Sequence, residues 1–386
     1  MLDKENICLS IEKQQIKYKS ISPEIVQTSS FQFDNFQHYV NVNMNYEEAY
    51  TYTRGDNPTL ALLEKKIAKL EKGECAKVFA SGMGTISATI LSLIQQKDHV
   101  LIVNTVYGSS VKLIQSLKRF GVESTKIDVS STKDIFPFVK DNTKMIYFES
   151  PSSQKFEMLD LEMISQFAKE RHIITVIDNT WATPLFQNPL EHGIDIVIHS
   201  CSKYIGGHSD LVGGVVVSHQ HYIQKIDDFG QILLGATMSP MNAWLALRGL
   251  RTLPVRLKHQ EESAKQMIQF LQQDSRIQKI YHPLVHTDPN LRDKYLKGYG
   301  SLLGFVLKNA TPDIIETFID SLKHFTLAYS WGGFESLVMP VFKGNNQEEL
   351  QNRGLDIGHI RMYIGLEEVD MLIEDLQNAL NCAYKS

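Results

Sequence analysis

Lys203 stands in the run Ser200-Cys-Ser-Lys-Tyr-Ile-Gly-Gly-His-Ser-Asp210, which compresses hydroxyl side chains, two adjacent glycines and a single amine into one loop. Small, hydroxylic neighbours let a bulky anionic ligand approach the backbone, and Ser200 and Ser202 can donate to phosphate oxygens. The amine can form an imine with a carbonyl compound where cationic or apolar neighbours lower its pKa. Asp178 directly follows the apolar run Ile173-Ile-Thr-Val-Ile177, so its carboxylate is expected to project from the end of a strand. Taken alone, an aspartate there is better explained as a cap or turn former.

Two further segments add parts to this pair. Ala76-Lys-Val-Phe-Ala80 runs into Ser81-Gly-Met-Gly-Thr85 and an apolar helical stretch, whose first backbone N–H groups would make an anion site without any side chain. A tight connection explains those glycines equally well, and their spacing is neither a dinucleotide fingerprint nor a P-loop. Tyr107, in Asn104-Thr-Val-Tyr-Gly108, offers a ring on which a flat cofactor could stack, with a half-buried structural tyrosine as the alternative. Together the strand ends offer an anion cradle, a stacking ring, an acid for a ring nitrogen and an imine-forming amine. Those parts fit pyridoxal 5'-phosphate, anchored by Lys203 and kept protonated at its ring nitrogen by Asp178.

The elements that must position these residues are legible as alternating patterns. Short apolar or β-branched runs at 76–80, 100–104, 144–148, 173–177, 195–199 and 213–217 alternate with longer amphipathic stretches. That alternation predicts an α/β fold with a mostly parallel sheet, helices on both faces and ligands beyond the carboxyl ends of the strands. Leu60, Leu63, Ile67 and Leu70 recur at helical spacing over 60–71, with Gly73 as the expected C-cap. Residues 1–50 show no sustained period and read as an irregular arm contacting a neighbouring subunit. Residues 51–245 then form the catalytic domain and 246–386 a smaller α+β domain, with a long helix through Trp244, Leu247, Leu250 and Leu253, a strand over 301–307 and a terminal helix over 367–383.

Composition narrows the function classes. The 386 residues are 43% hydrophobic and carry a formal net charge of -5, which leaves no basic excess for a nucleic-acid backbone. The opening residues hold no signal-peptide core and no stretch is apolar enough to span a membrane, so a cytoplasmic protein with a small-molecule substrate is expected. Four cysteines without close pairing indicate neither a zinc site nor a disulfide scaffold. His192, His199 and His208 lack ligand spacing with nearby acids, so no metal is expected and hydrogen-bonding histidines are the commoner explanation.

Four segments together resemble the cysteine and methionine metabolism group of fold type I pyridoxal phosphate enzymes. They are Tyr52-Thr-Arg-Gly-Asp-Asn-Pro-Thr59, Ile177-Asp-Asn-Thr180, the Lys203 loop and Gly358-His-Ile-Arg-Met-Tyr-Ile-Gly-Leu-Glu-Glu368. The resemblance implies a seven-stranded, mostly parallel sheet and a homo-oligomer, typically a tetramer of two catalytic dimers. It implies that Tyr52 and Arg54 reach the phosphate of the neighbouring site, that Gly82, Met83, Ser200 and Ser202 bind it from within, and that Arg361 clamps the substrate α-carboxylate.

Within that group the likeness is greatest to the cystathionine β-lyase and cysteine-S-conjugate β-lyase type. Tyr329 stands where γ-acting members usually place a glutamate, in Ala328-Tyr-Ser-Trp-Gly-Gly-Phe-Glu-Ser336, which makes Tyr329, Ser330 and Trp331 expected substrate contacts. Trp181 and Ser153 also match the β-lyase pattern. Gly55 and Lys112 depart from it, at positions associated with the charged far end of cystathionine, so apolar thiol conjugates are also expected substrates. A γ-lyase, a γ-synthase and, more remotely, a noncatalytic cofactor-binding protein are the competing readings.

Overall fold

The computed structural model describes residues 2–11 and 18–385. Seven strands, β1 (Cys75–Phe79), β2 (His99–Val103), β3 (Glu123–Ile127), β4 (Thr143–Glu149), β5 (Ile174–Asp178), β6 (Ile196–Ser200) and β7 (Gly214–Ser218), form one sheet. Their order is β1-β7-β6-β5-β4-β2-β3. The neighbours from β3 to β6 pair in parallel, and β7 runs antiparallel to both β1 and β6. Successive side chains of these strands enter opposite cores. Val103, Phe148, Ile177 and Val197 lie in one, and Ile102, Tyr147, Val176 and Ile198 in the other. Burial on both faces is what a near-continuous Val/Ile run encodes, and it makes the α/β expectation hold.

Register decides where the strands end relative to one another. Asp178 pairs with Glu149 on one side and Ile198 on the other, while Ser200 pairs with Gly214, which pairs in turn with Phe79. The segments that leave β1, β2, β4, β5 and β6 therefore emerge along one edge of the sheet, and they carry the residues singled out above. Edge strand β3 has no counterpart among the expected strands. Its sequence, Glu123-Ser-Thr-Lys-Ile127, has a single buried side chain and no apolar run.

A second sheet, ordered β10-β11-β12-β9-β8, holds β8 (Ile277–Tyr281), β9 (Leu302–Leu307), β10 (Thr326–Leu327), β11 (Leu337–Pro340) and β12 (His359–Tyr363). The helices Pro312–Ser321 and Val369–Ala383 pack on it around Phe305, Phe318, Leu372 and Leu376. The helix Pro240–Gln273 joins the two regions. Its first half adds Leu247, Leu250 and Leu253 to the core of the large sheet, and its second half adds Ala264, Met267 and Ile268 to that of the small one. It runs unbroken through position 245, so the chain crosses that point inside a helix.

Two local expectations are corrected. The helix Pro58–Glu71 begins at Asn57, whose side chain accepts from the Thr59 N–H at 2.9 Å. At its other end Lys72, with φ 63°, takes the left-handed conformation expected of Gly73. The first fifty residues are also not wholly irregular, because Leu2–Leu9 and Phe36–Asn43 are helical. The first of these packs on its own chain. Ile7 and Cys8 are buried in the main core, and the Lys66 ammonium donates to the carbonyls of Ile7 and Ser10 at 3.0 and 2.7 Å, where a cation complements a helix C-terminus.

Candidate active site

Asp178 is the last residue of β5, and Thr180 holds it. The Thr180 N–H and hydroxyl donate to Asp178 Oδ1 at 3.0 and 2.5 Å, and the same hydroxyl accepts from the Ser200 N–H at 2.8 Å. The loop after β5 is thereby tied to the loop that carries Lys203. Burial pushes the Asp178 carboxyl above the ordinary aspartate value, against the opposing Thr180 hydrogen bonds and the fields of His199 and Lys203.

The Lys203 amine donates to Ser330 Oγ at 2.5 Å and lies 5.7 Å from the centre of the Trp331 ring. Burial and then the Arg361 charge push this amine down to about 8, against the attraction of Asp178. Arg361, on β12, is itself pushed down to about 10 by burial. Its guanidinium contacts Met339 Sδ at 3.9 Å, and among the described residues it forms no ion pair. A guanidinium withdrawn from water without a carboxylate is costly, and an anionic ligand would relieve that cost.

The segment that leaves β1 opens a helix. The helix Gly82–Leu93 is capped by Ser81, whose hydroxyl accepts from the Gly84 N–H at 2.9 Å and whose carbonyl accepts from the Thr85 N–H at 3.0 Å. That leaves the N–H groups of Gly82 and Met83 for a ligand at the positive end of the helix. Ser200 faces this turn so closely that a Cβ on Gly82 would lie 3.1 Å from both Ser200 Cβ and Oγ. Ser202 is held by Gly213, whose N–H donates to its hydroxyl at 3.1 Å.

Tyr107, just after β2, is 52% exposed, and its backbone N–H donates to Glu149 Oε1 at 2.6 Å. Glu149 Oε2 meets the hydroxyl of Ser153. Glu149 and Thr180 are given no role by the sequence alone, although Glu149 carries the same signal as Asp178, an acid at the end of a buried strand. Tyr329 lies 76% exposed beside Ser330. Trp181 is a core residue whose indole N–H donates to Leu302 O at 3.2 Å. Tyr52 and Arg54 stack on each other, with the guanidinium 5.4 Å from the ring centre. Among the described residues, neither side chain bonds to Gly82, Ser200, Ser202 or Lys203. The three histidines have separate partners: Glu162 for His192, Glu71 for His199 and the Gly206 carbonyl for His208.

An amine of lowered basicity and a carboxylate stand at the edge of the large sheet where a helix also begins, and an unpaired guanidinium on β12 of the small sheet acts on that amine. A family model described as Cys/Met metabolism PLP-dependent enzyme matches residues 5–381. The chain belongs to that family. An L-methionine gamma-lyase of Fusobacterium nucleatum subsp. nucleatum is 35% identical over 372 residues, 94% of each chain. A cystathionine beta-lyase of Lactococcus lactis subsp. cremoris is 34% identical over 368 residues, again 94% of each. Among solved structures, a putative O-acetylhomoserine (thiol)-lyase of Campylobacter jejuni, which carries a pyridoxyl-lysine monophosphate, superposes with a TM-score of 0.90 at 30% identity. That match covers 98% of this chain and 99% of the other. Pyridoxal 5'-phosphate is the cofactor of the family, and the donor set described here fits it: an amine for its aldehyde, a carboxylate for its ring nitrogen, and amide and hydroxyl groups for its phosphate.

Proposed function

We propose that the protein is a carbon–sulfur β-lyase, cleaving cystathionine or other cysteine S-conjugates to a thiol, pyruvate and ammonia. One observation carries the reading: the Lys203 amine is bonded to Ser330, within the Tyr329-Ser330-Trp331 segment, whose resemblance is to the β-lyase type. β-Elimination needs one base at Cα and room for a sulfur substituent at Cβ, and this segment lines the amine with a hydroxyl and an indole. The identities of 35% to a γ-lyase and 34% to a β-lyase do not separate the two activities.

In this reading Lys203 would hold the cofactor through its aldehyde, and the Lys203 Nζ is the base for the Cα proton of the substrate. Bound pyridoxal phosphate supplies the electron sink. Asp178 would face the ring nitrogen, Tyr107 would offer its ring for stacking, Ser153 would serve the ring hydroxyl, and Gly82, Met83, Ser200 and Ser202 would hold the phosphate. Arg361 receives the substrate carboxylate. Gly55 brings no side chain and Lys112 is an exposed cation, which supports a distal pocket that also takes apolar conjugates.

We also infer a homotetramer in which Tyr52 and Arg54 serve the neighbouring site. Their exposure supports this, as do the aromatic side chains Phe36 and Tyr46, which are 78% and 76% exposed on the segment just before them. A keto-acid assay tests the activity. Pyruvate from cystathionine and from S-alkyl cysteines is the expected product, and 2-oxobutanoate from cystathionine or methionine would replace this reading with γ-chemistry.

A further inference from the structure

Glu149 is buried and faces Asp178 in register across two parallel strands. Two carboxylates in one dry row repel, and only one can ionise cheaply. Asp178 has two Thr180 donors and the Lys203 amine to favour its charge, whereas Glu149 has the Tyr107 N–H on Oε1 and Ser153 on Oε2 and, among the described residues, no cation. Among the described residues a further titratable group, Tyr147 on the same strand, feels both carboxylates, and its hydroxyl donates to Ser110 Oγ at 3.3 Å.

We propose that Glu149 is a positioning residue held as a neutral carboxylic acid, accepting from the Tyr107 amide and donating to the Ser153 hydroxyl, which leaves Asp178 the single negative charge of the row. Burial, followed by the field of Asp178, pushes Glu149 up to about 8, which supports this division. The bridge joins the residue assigned to stack on the cofactor ring to the residue assigned near the ring hydroxyl. The functional consequence therefore rests on the site assignment above, while the protonation state does not.

The two are separable by experiment. Infrared spectra of the cofactor-free and loaded protein at neutral pH, taken as parent minus Glu149→Gln, are expected to contain a carboxylic-acid C=O stretch. Ser153→Ala, which leaves the strand intact, should shift that stretch. Glu149→Ala should speed hydrogen exchange of the Tyr107 amide and lower kcat on the order of 100-fold through a misplaced ring. Glu149→Gln should restore most of both, because its carboxamide offers the same acceptor and a donor at the same place. A carboxylate band in place of the acid band, or a Gln variant as impaired as Ala, overturns the proposal. The infrared and exchange measurements need no substrate, so they decide it even if the lyase assignment fails.

Discussion

Lys203 and Ser330, 127 positions apart, are joined by a hydrogen bond of 2.5 Å from the amine to the hydroxyl. The bond connects the loop after β6 to the segment before β11, so each of the two sheets supplies one partner. It also fixes where the amine points. Removing the amine with Lys203→Ala should abolish turnover while the melting temperature stays within a few degrees of the parent. Ser330→Ala should lower kcat about tenfold, the loss of roughly 1.4 kcal/mol from one oriented hydrogen bond, with a smaller change in cofactor affinity. Steady-state kinetics beside a cofactor titration check both.

The same amine should control how the cofactor is captured. Burial and Arg361 bring Lys203 down to about 8, so its neutral, nucleophilic fraction increases as pH rises through that value. Addition of pyridoxal phosphate to the cofactor-free protein should therefore speed up about tenfold between pH 7 and 9 and level off above. An ordinary lysine would still be accelerating there, so a rate that keeps climbing past pH 9 counts against the lowered basicity.

Arg361 should show the signature of a carboxylate clamp. Its planar fork can make two parallel bonds, which a lysine ammonium cannot reproduce. Arg361→Lys is expected to raise KM on the order of tenfold to a hundredfold, with a smaller fall in kcat. An amine substrate lacking the α-carboxylate should be insensitive to the change.

Acid should destabilise the fold through two buried histidines. Burial pushes His282 down to about 4 and His359 down to about 3, while the unfolded chain binds a proton near pH 6.5. The folded state then holds fewer protons in that window. The stability these neutral histidines contribute is complete above pH 6.5 and is lost progressively as pH falls toward 4 and then 3, by as much as about 3 kcal/mol for His282. Urea midpoints from pH 7 to 4 should fall, and His282→Gln should flatten the fall if the Gly300 contact survives.

Much of this site could be read from local patterns, because a buried parallel sheet writes its strands as apolar runs and places its functional residues at their ends. Asp178, Lys203 and the Gly82 turn were visible for that reason. The unexpected features depend on partners far away in the chain. Glu149 looked like the end of an ordinary strand until register set it opposite Asp178. The helix Leu2–Leu9 is too short to display a period and owes its place to Lys66, which lies 59 positions from Ile7. Lys72 takes a conformation that composition would assign to the glycine beside it. Strand β3 is held by backbone pairing with β2 and not by an apolar face.

Gly332 makes the last prediction. It has φ +91°, and a Cβ there would lie 2.7 Å from Tyr204 N and 2.8 Å from both Lys203 Cα and C. Ser330, two residues earlier, also has a positive φ of 91°. Ser330 is thus held in a conformation that L residues rarely adopt, and Gly332 lies against the backbone of Lys203, the proposed cofactor anchor. Gly332→Ala introduces both a disfavoured φ and a backbone clash that no side-chain rotation can relieve. It should cost about 1–3 kcal/mol of stability. It should also displace Lys203, lowering the rate of cofactor capture as well as kcat. An alanine variant that melts with the parent and captures cofactor at the parental rate would show that the loop can move away from Lys203 without consequence.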